Sequence, residues 1–124
     1  MKVYLAGPMR GYPDFNFPAF DYAAAKLRAL GFTVFSPADK DRELIGPEAF
    51  INPTGDEDQL AALTNYTIRT ALGNDLAWIC AEADAIALLP GWEASTGATA
   101  ERATAIAIGA TIMILGKEYV DASN

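Results

Sequence analysis

Between Pro90 and Glu101 the chain reads Pro-Gly-Trp-Glu-Ala-Ser-Thr-Gly-Ala-Thr-Ala-Glu. The apolar run Ala85 to Leu89 leads into a Ser-Thr-Gly turn, and an alanine-rich helical pattern follows. The first N–H groups of such a helix lack intrahelical partners. With the Ser95 and Thr96 hydroxyls they form an anion site at the Gly97 helix start. Glu101 lies one turn further in. Its helical neighbours at −3, +4 and +7 are Ala98, Ala105 and Ile108, so its carboxylate belongs to the apolar face. A carboxylate placed there is either partly desolvated or held for work. The competing reading is a surface glutamate beside Arg102, with Ser95 as a plain N-cap; the apolar face argues against it.

A second constellation is Tyr4-Leu5-Ala6-Gly7-Pro8-Met9-Arg10-Gly11. Gly7 lets a ligand approach the backbone closely, and Arg10 offers a planar five-donor fork suited to phosphate or carboxylate. Spacing alone favours the plainer reading, a strand-ending turn with a solvated arginine. Neither G-x-G-x-x-G nor a Walker A loop occurs. Asp75 falls in the first turn of the segment expected after Gly73-Asn74, where an acidic residue simply complements the helix dipole. Asp84 reads as a turn residue. Trp78 and Trp92 suit packing at least as well as stacking on a base. Asp56-Glu57-Asp58 reads as a solvated helix start, and no EF-hand ligand spacing occurs.

Composition narrows the chemistry. The chain has 124 residues, one domain's worth, with nine basic and sixteen acidic residues and a net charge of −7. Such a surface repels phosphodiester backbones and anionic membranes, so neither a nucleic acid polymer nor a membrane is expected as partner. With no histidine, Ser-His-Asp and Cys-His nucleophile systems and His-ligated zinc are excluded. The single cysteine, Cys80, excludes a disulfide framework and a Cys-rich metal site. No targeting segment or bilayer-length apolar stretch is read, and the expected location is cytoplasmic.

These residues need positioning elements. Val3–Ala6 reads as a buried strand ended by Gly7-Pro8. Asn16 reads as an N-cap for a helix from about Pro18 to Leu30, with Gly31 at its end. Phe32–Phe35 is the second strand, closed by Ser36-Pro37. Ala38 to Asp58, dense in charge, is expected to be an irregular exposed excursion. Helical pattern runs from Gln59 to Leu72, and Gly73-Asn74 breaks or kinks it. Leu76, Ile79, Cys80 and Ala83 then form a core-facing stripe. Ala85–Leu89 is the third strand, 97–108 a helix closed by Gly109, and Thr111–Leu115 the last strand. The alternation predicts one α/β domain over 1–124, a three-layer sandwich around a parallel sheet of four or five strands, flavodoxin-like or Rossmann-like. Ligands of such sheets sit beyond the carboxyl ends of the strands.

Three segments together resemble the nucleoside 2-deoxyribosyltransferase superfamily, which includes the 2′-deoxynucleoside 5′-phosphate N-hydrolases and small phage-type relatives. They are Tyr4-Leu5-Ala6-Gly7-Pro8, then Asp75-Leu76 ahead of Ala83-Asp84-Ala85-Ile86, then Ser95-x-Gly97-x-x-x-Glu101. The resemblance spans roughly Lys2 to Leu115 and implies cleavage of an N-glycosidic bond without a cofactor. It places the family's glutamate nucleophile on Glu101, the acidic residue that meets the departing base on Asp75, and a substrate-side aromatic on Tyr4. The nucleoside transferases carry an aspartate for the sugar 5′-hydroxyl where this chain has Ser95. The N-hydrolases carry serine there, and their phosphate-binding arginine falls on Arg10. A 5′-monophosphate substrate is therefore expected, held by Arg10, Ser95 and the Gly97 helix start. Pro8 replaces a serine of the N-hydrolases, which removes one donor. Family members are usually dimers or larger, with sites often completed by a neighbour's C-terminal segment, so a homo-oligomer is expected, and Ser123 or Asn124 is a candidate for that role.

Three alternatives stand beside this reading. One is base transfer between unphosphorylated nucleosides. Another is a phosphoribohydrolase of the cytokinin-activating type, although Trp92 to Thr96 is inserted relative to that pattern. The third is a nucleotide-binding module without turnover, against which the joint presence of Glu101 and Asp75 argues.

Overall fold

The computed structural model describes residues 1–56 and 68–120. Four parallel strands form the sheet: β1 (Lys2–Ala6), β2 (Thr33–Phe35), β3 (Ala85–Leu88) and β4 (Thr111–Ile114), in the order β2-β1-β3-β4. Around it lie α1 (Phe17–Ala29), α2 (Pro37–Ile45), α3 (Ile68–Glu82) and α4 (Thr96–Ala107). This is the expected Rossmann-like α/β sandwich, with the lower of the two strand counts.

Side chains alternate across the sheet. Val3, Leu5, Ala85 and Ala87 face α1 and pack on Phe20, Ala23, Ala24 and Leu27. Tyr4, Ala6, Ile86 and Leu88 face the other layer and pack on Ile79 of α3 and on Ala98 and Ala105 of α4. The central strands β1 and β3 are buried on both faces, which is why they read as short continuous apolar runs rather than alternating ones. From β1 the chain crosses to β2 on one side, and from β3 to β4 on the other. The order of connection therefore reverses between β1 and β3, the position at whose carboxyl edge sheets of this kind bind their ligands.

Several expectations are corrected. The start of the 38–58 excursion is helical: α2 begins at Pro37, pre-set for a first turn, and a 3-10 turn at Pro47–Phe50 follows. Its inward face, Pro37, Ala38 and Asp41, is buried. Gly73-Asn74 does not break its helix; α3 runs through both, so Asp75 is mid-helix and is no partner for an N-terminal dipole. Cys80 is exposed, while Ile79 carries the buried contact. Asn16 stands at the N-cap of α1 without capping it: its backbone is left-handed and its side-chain amide donates to the Pro8 carbonyl at 2.9 Å. The expected helix from Gln59 lies outside the described residues up to 67, as do Glu57, Asp58, Ser123 and Asn124. No described helix is long and apolar enough to cross a membrane.

Candidate active site

Tyr4, fully buried in the middle of β1, points between α3 and α4. Its hydroxyl donates to Glu101 Oε2 at 2.7 Å. Glu101 comes from the second turn of α4, and its neighbours Ala98 and Ala105 are small enough to seat that helix close on the strand. Ile108, expected on the same stripe, lies past the helix end and is exposed. Asp75 of α3 is the third member. It shares a hydrogen bond with Glu101 and interacts with the Tyr4 hydroxyl. Asp75 and Glu101 are only 6% and 7% exposed.

Two carboxyl groups this close and this dry cannot both ionise at ordinary pH. Burial first, then the charge of Asp41, raises Asp75 to about 7. Burial first, then the charge of Asp75, raises Glu101 to about 8. The Tyr4 hydrogen bond opposes both shifts. These values belong to the pair, which between them holds one proton at near-neutral pH. Tyr4 itself is pushed well up, chiefly by burial, so its hydroxyl stays a donor.

Beside the acids stands an aromatic wall. Phe35, paired in register with Tyr4, stacks on the Tyr4 ring at 5.5 Å and on Trp78 of α3 at 4.7 Å. Trp92 is covered by the Arg102 guanidinium at 5.1 Å.

The other expected site residues gather at the start of α4. Ser95 is its N-cap, and its Oγ accepts from the Ala98 N–H at 3.1 Å. That bond leaves the hydroxyl proton able to donate outward. Arg10 Nη2 donates to Thr96 Oγ1 at 2.7 Å, bridging the loops that follow β1 and β3. Arg10 therefore flanks the strand-order reversal on one side, and Ser95, Thr96 and Gly97 flank it on the other. Six residues of helix separate Ser95 from Glu101, roughly 9 Å along the axis at 1.5 Å per residue. Gly7 has a packing role in addition: a Cβ there would sit 2.8 Å from Leu89 Cβ.

The loop carrying Arg10 is held from below. Gly11 N–H donates to the Gly55 carbonyl at 3.0 Å, and Asp14 and Asn52 exchange backbone and side-chain bonds at 2.6 and 2.8 Å. Asp14, Phe15 and Asn16 all adopt positive φ. Asp84 lies at the opposite edge of the sheet. Its side chain accepts from the Lys2 N–H and its own N–H donates to the Lys2 carbonyl, which is a structural role.

Sequence reasoning missed Asp41. It was absorbed into the charged stretch 38–58, yet it is 6% exposed on the inward face of α2 and its charge acts on both Asp75 and Glu101. The signal was Ser36-Pro37, an N-cap and first-turn pair, which puts Asp41 on the same face as Pro37 and Ala38. No group of three or more metal-ligating side chains is present among the described residues.

Fold and site together define a small α/β protein with a buried carboxyl pair beside the strand-order reversal of its sheet. The chain belongs to the family described as a domain of unknown function (DUF4406), whose profile matches residues 1–114. No curated protein and no solved structure matches it.

Proposed function

We propose that the protein cleaves the N-glycosidic bond of a nucleoside or 2′-deoxynucleoside 5′-monophosphate through a covalent glycosyl-Glu101 intermediate. The observation that carries the reading is the Tyr4–Glu101–Asp75 cluster, whose Glu101 lies on the same helix whose first turn meets Arg10. Glu101 as carboxylate attacks C1′ of the sugar, forming a C1′–O bond. The C1′–N bond breaks, its electron pair stays on the base nitrogen, and Asp75 supplies the proton. Water or a second base then attacks C1′, giving its proton to Asp75 and releasing Glu101. This is the two-carboxyl logic of retaining glycosidases.

In the resting pair Glu101 is raised further than Asp75, to about 8 against about 7, so the reactive form is the tautomer in which the shared proton has moved to Asp75 and the Tyr4 hydroxyl donates to a charged Glu101. Arg10, the Ser95 hydroxyl and the start of α4 form the cationic end for the phosphate. The separation along α4 suits the span from a 5′-phosphate to C1′. Small-molecule nucleotide binding by a homo-oligomer in the cytoplasm completes the reading.

The test is chromatographic release of free base from deoxy- and ribonucleoside monophosphates, with and without an acceptor base. Glu101→Ala is expected to lose turnover by at least a factor of about 1,000, the scale of losing a nucleophile; unchanged rates would reject it. Arg10→Ala and Ser95→Asp are expected to abolish the preference for nucleotide over nucleoside. If that preference survives in both, the phosphate assignment is wrong.

A further inference from the structure

The two edges of the sheet are finished differently. At the β2 edge the Thr33 N–H donates inward to the Met1 carbonyl, so Val34 turns its backbone outward, and there the Arg28 guanidinium donates to the Val34 carbonyl at 2.9 Å. Asp39 holds that guanidinium in turn at 3.0 Å, and the edge is closed. The β4 edge is open. Thr111 and Leu115 donate inward to the Asp84 and Leu88 carbonyls at 2.9 Å each, so by alternation Ile112 and Ile114 turn both N–H and C=O outward. Among the described residues no strand pairs with that edge. The strand reads Thr-Ile-Met-Ile, without the lysine, proline or bulge that usually guards an exposed edge.

The surface beside this edge is apolar. Ile112 and Ile114 lie on the α4 side of the sheet, in register with Ile86 and Leu88. Ile114 is 65% exposed, and Ile106, on the outer flank of α4, is 49% exposed. Residues 103–116 form the longest uncharged stretch of the chain, bracketed by Arg102 and Lys117. The net charge is −7, so most approaches of one copy to another set acid against acid; an approach along this stretch does not.

We propose that a second copy of the chain docks here, β4 against β4, antiparallel about a two-fold axis through Met113. In that register Ile112 of each copy exchanges both backbone hydrogen bonds with the partner's Ile114, so every outward group of the two strands finds a mate. The two four-stranded sheets join into one. The axis keeps both α4 helices on the same face, which brings Ile106, Ile112 and Ile114 of both copies into one apolar seam. One short strand and one helix flank make a face at the small end of stable interfaces, which bury about 800 Å² per partner, so the dimer dissociates in roughly the micromolar range. The inference names the surface and partner of the homo-oligomer in the proposed function and rests on none of its chemistry.

The experiment is sedimentation velocity of the full chain from about 1 to about 100 μM, beside base release by the wild type. The wild type is expected to pass from monomer to dimer across that range. Ile114→Lys changes a side chain that is exposed in the single copy, and is expected to raise the dissociation constant roughly 100-fold or more, because the ammonium would be buried against the partner's Ile112. Ile51→Lys, at an exposed isoleucine outside β4 and α4, is the control and leaves the constant unchanged. Met113→Cys in a Cys80→Ser chain reads the register. The two cysteines would face each other across the axis as a non-hydrogen-bonded pair, about 4.5 Å between Cα atoms and within disulfide reach, and oxidation by diamide is expected to link them. A monomer at every concentration, a dimer indifferent to Ile114→Lys, or a dimer that does not cross-link overturns the inference. Base release by a wild type that stays monomeric leaves the glycosidase reading standing; a cross-linked dimer without base release does the reverse.

Discussion

Replacing Glu101 by glutamine is expected to stabilise the protein, and to do so more as pH rises. The substitution is isosteric: the amide oxygen still accepts from Tyr4, and the amide nitrogen can donate to Asp75. What it removes is a buried ionisation. In the native state Glu101 keeps its proton up to about 8, against an ordinary 4.5. Between those values the native chain binds a proton that the unfolded chain has released, so stability falls as pH rises through the window and levels off above it. At about 1.4 kcal/mol per pH unit the full loss approaches 5 kcal/mol. Local relaxation and water entry reduce it, and we expect Glu101→Gln to gain about 2–4 kcal/mol more at pH 8.5 than at pH 5, roughly 10 °C in Tm for a domain of this size. Thermal melts followed by circular dichroism across that range measure it, with the exposed Glu93→Gln as control. Parallel Tm curves for Glu101→Gln and wild type would falsify the claim that this carboxyl is buried and proton-bearing. The result is independent of any substrate.

Other outcomes follow from the same geometry. Activity should show a narrow bell in kcat/KM, with limbs near 7 and 8 that belong to the pair: below it both carboxyls are protonated and no nucleophile is charged, and above it both are ionised and no proton is left for the departing base. A single-limbed profile would contradict a shared proton. Tyr4→Phe removes the donor that holds Glu101 down, so the acid limb should move to higher pH and kcat should fall by roughly 10- to 100-fold. An unchanged profile would show that Tyr4 only packs. Gly55→Ala should lower stability by about 2–3 kcal/mol, because the new Cβ would collide with the Tyr12 carbonyl from a residue at φ +66°; a urea titration reads it, and a neutral result would mean that the clasp under the Arg10 loop is loose.

Much of this was legible in the sequence because burial on both faces makes β1 and β3 distinct apolar blocks, and short turns of Gly, Pro and Ser set off the other two strands. The four strands and the α1 and α4 boundaries fall within one or two residues of their expected places. Glu101 was legible from helical period alone, since Ala98 and Ala105 flank it on the buried face. Asp75 was not, because glycine and asparagine at 73 and 74 look like a helix break. The helix continues through them with both residues exposed, where lost propensity costs about 1 kcal/mol and packing of Ile79 and Leu76 outweighs it. Asp41 was hidden for the opposite reason: a charged stretch reads as solvated, and only the tertiary contact reveals which one of its acids is turned inward.

The distribution of unfavourable features locates the site without appeal to resemblance. At the amino edge of the sheet the polar groups are matched, as where Asp84 and Lys2 exchange two bonds. Costs accumulate at the carboxyl edge. Three successive non-glycine residues, 14 to 16, are left-handed, at roughly 1–2 kcal/mol each. The Ser36 hydroxyl is buried at the N-cap of α2 with no hydrogen-bond partner. Three acidic side chains are buried over one short strand end. A small domain has little stability to spare. Replacing any of these features with an ordinary core or turn residue would stabilise it, as Glu101→Gln is expected to do. Strain and dry charge concentrated at the edge where the strand order reverses are what a preorganised site requires, and packing alone supplies no reason for them.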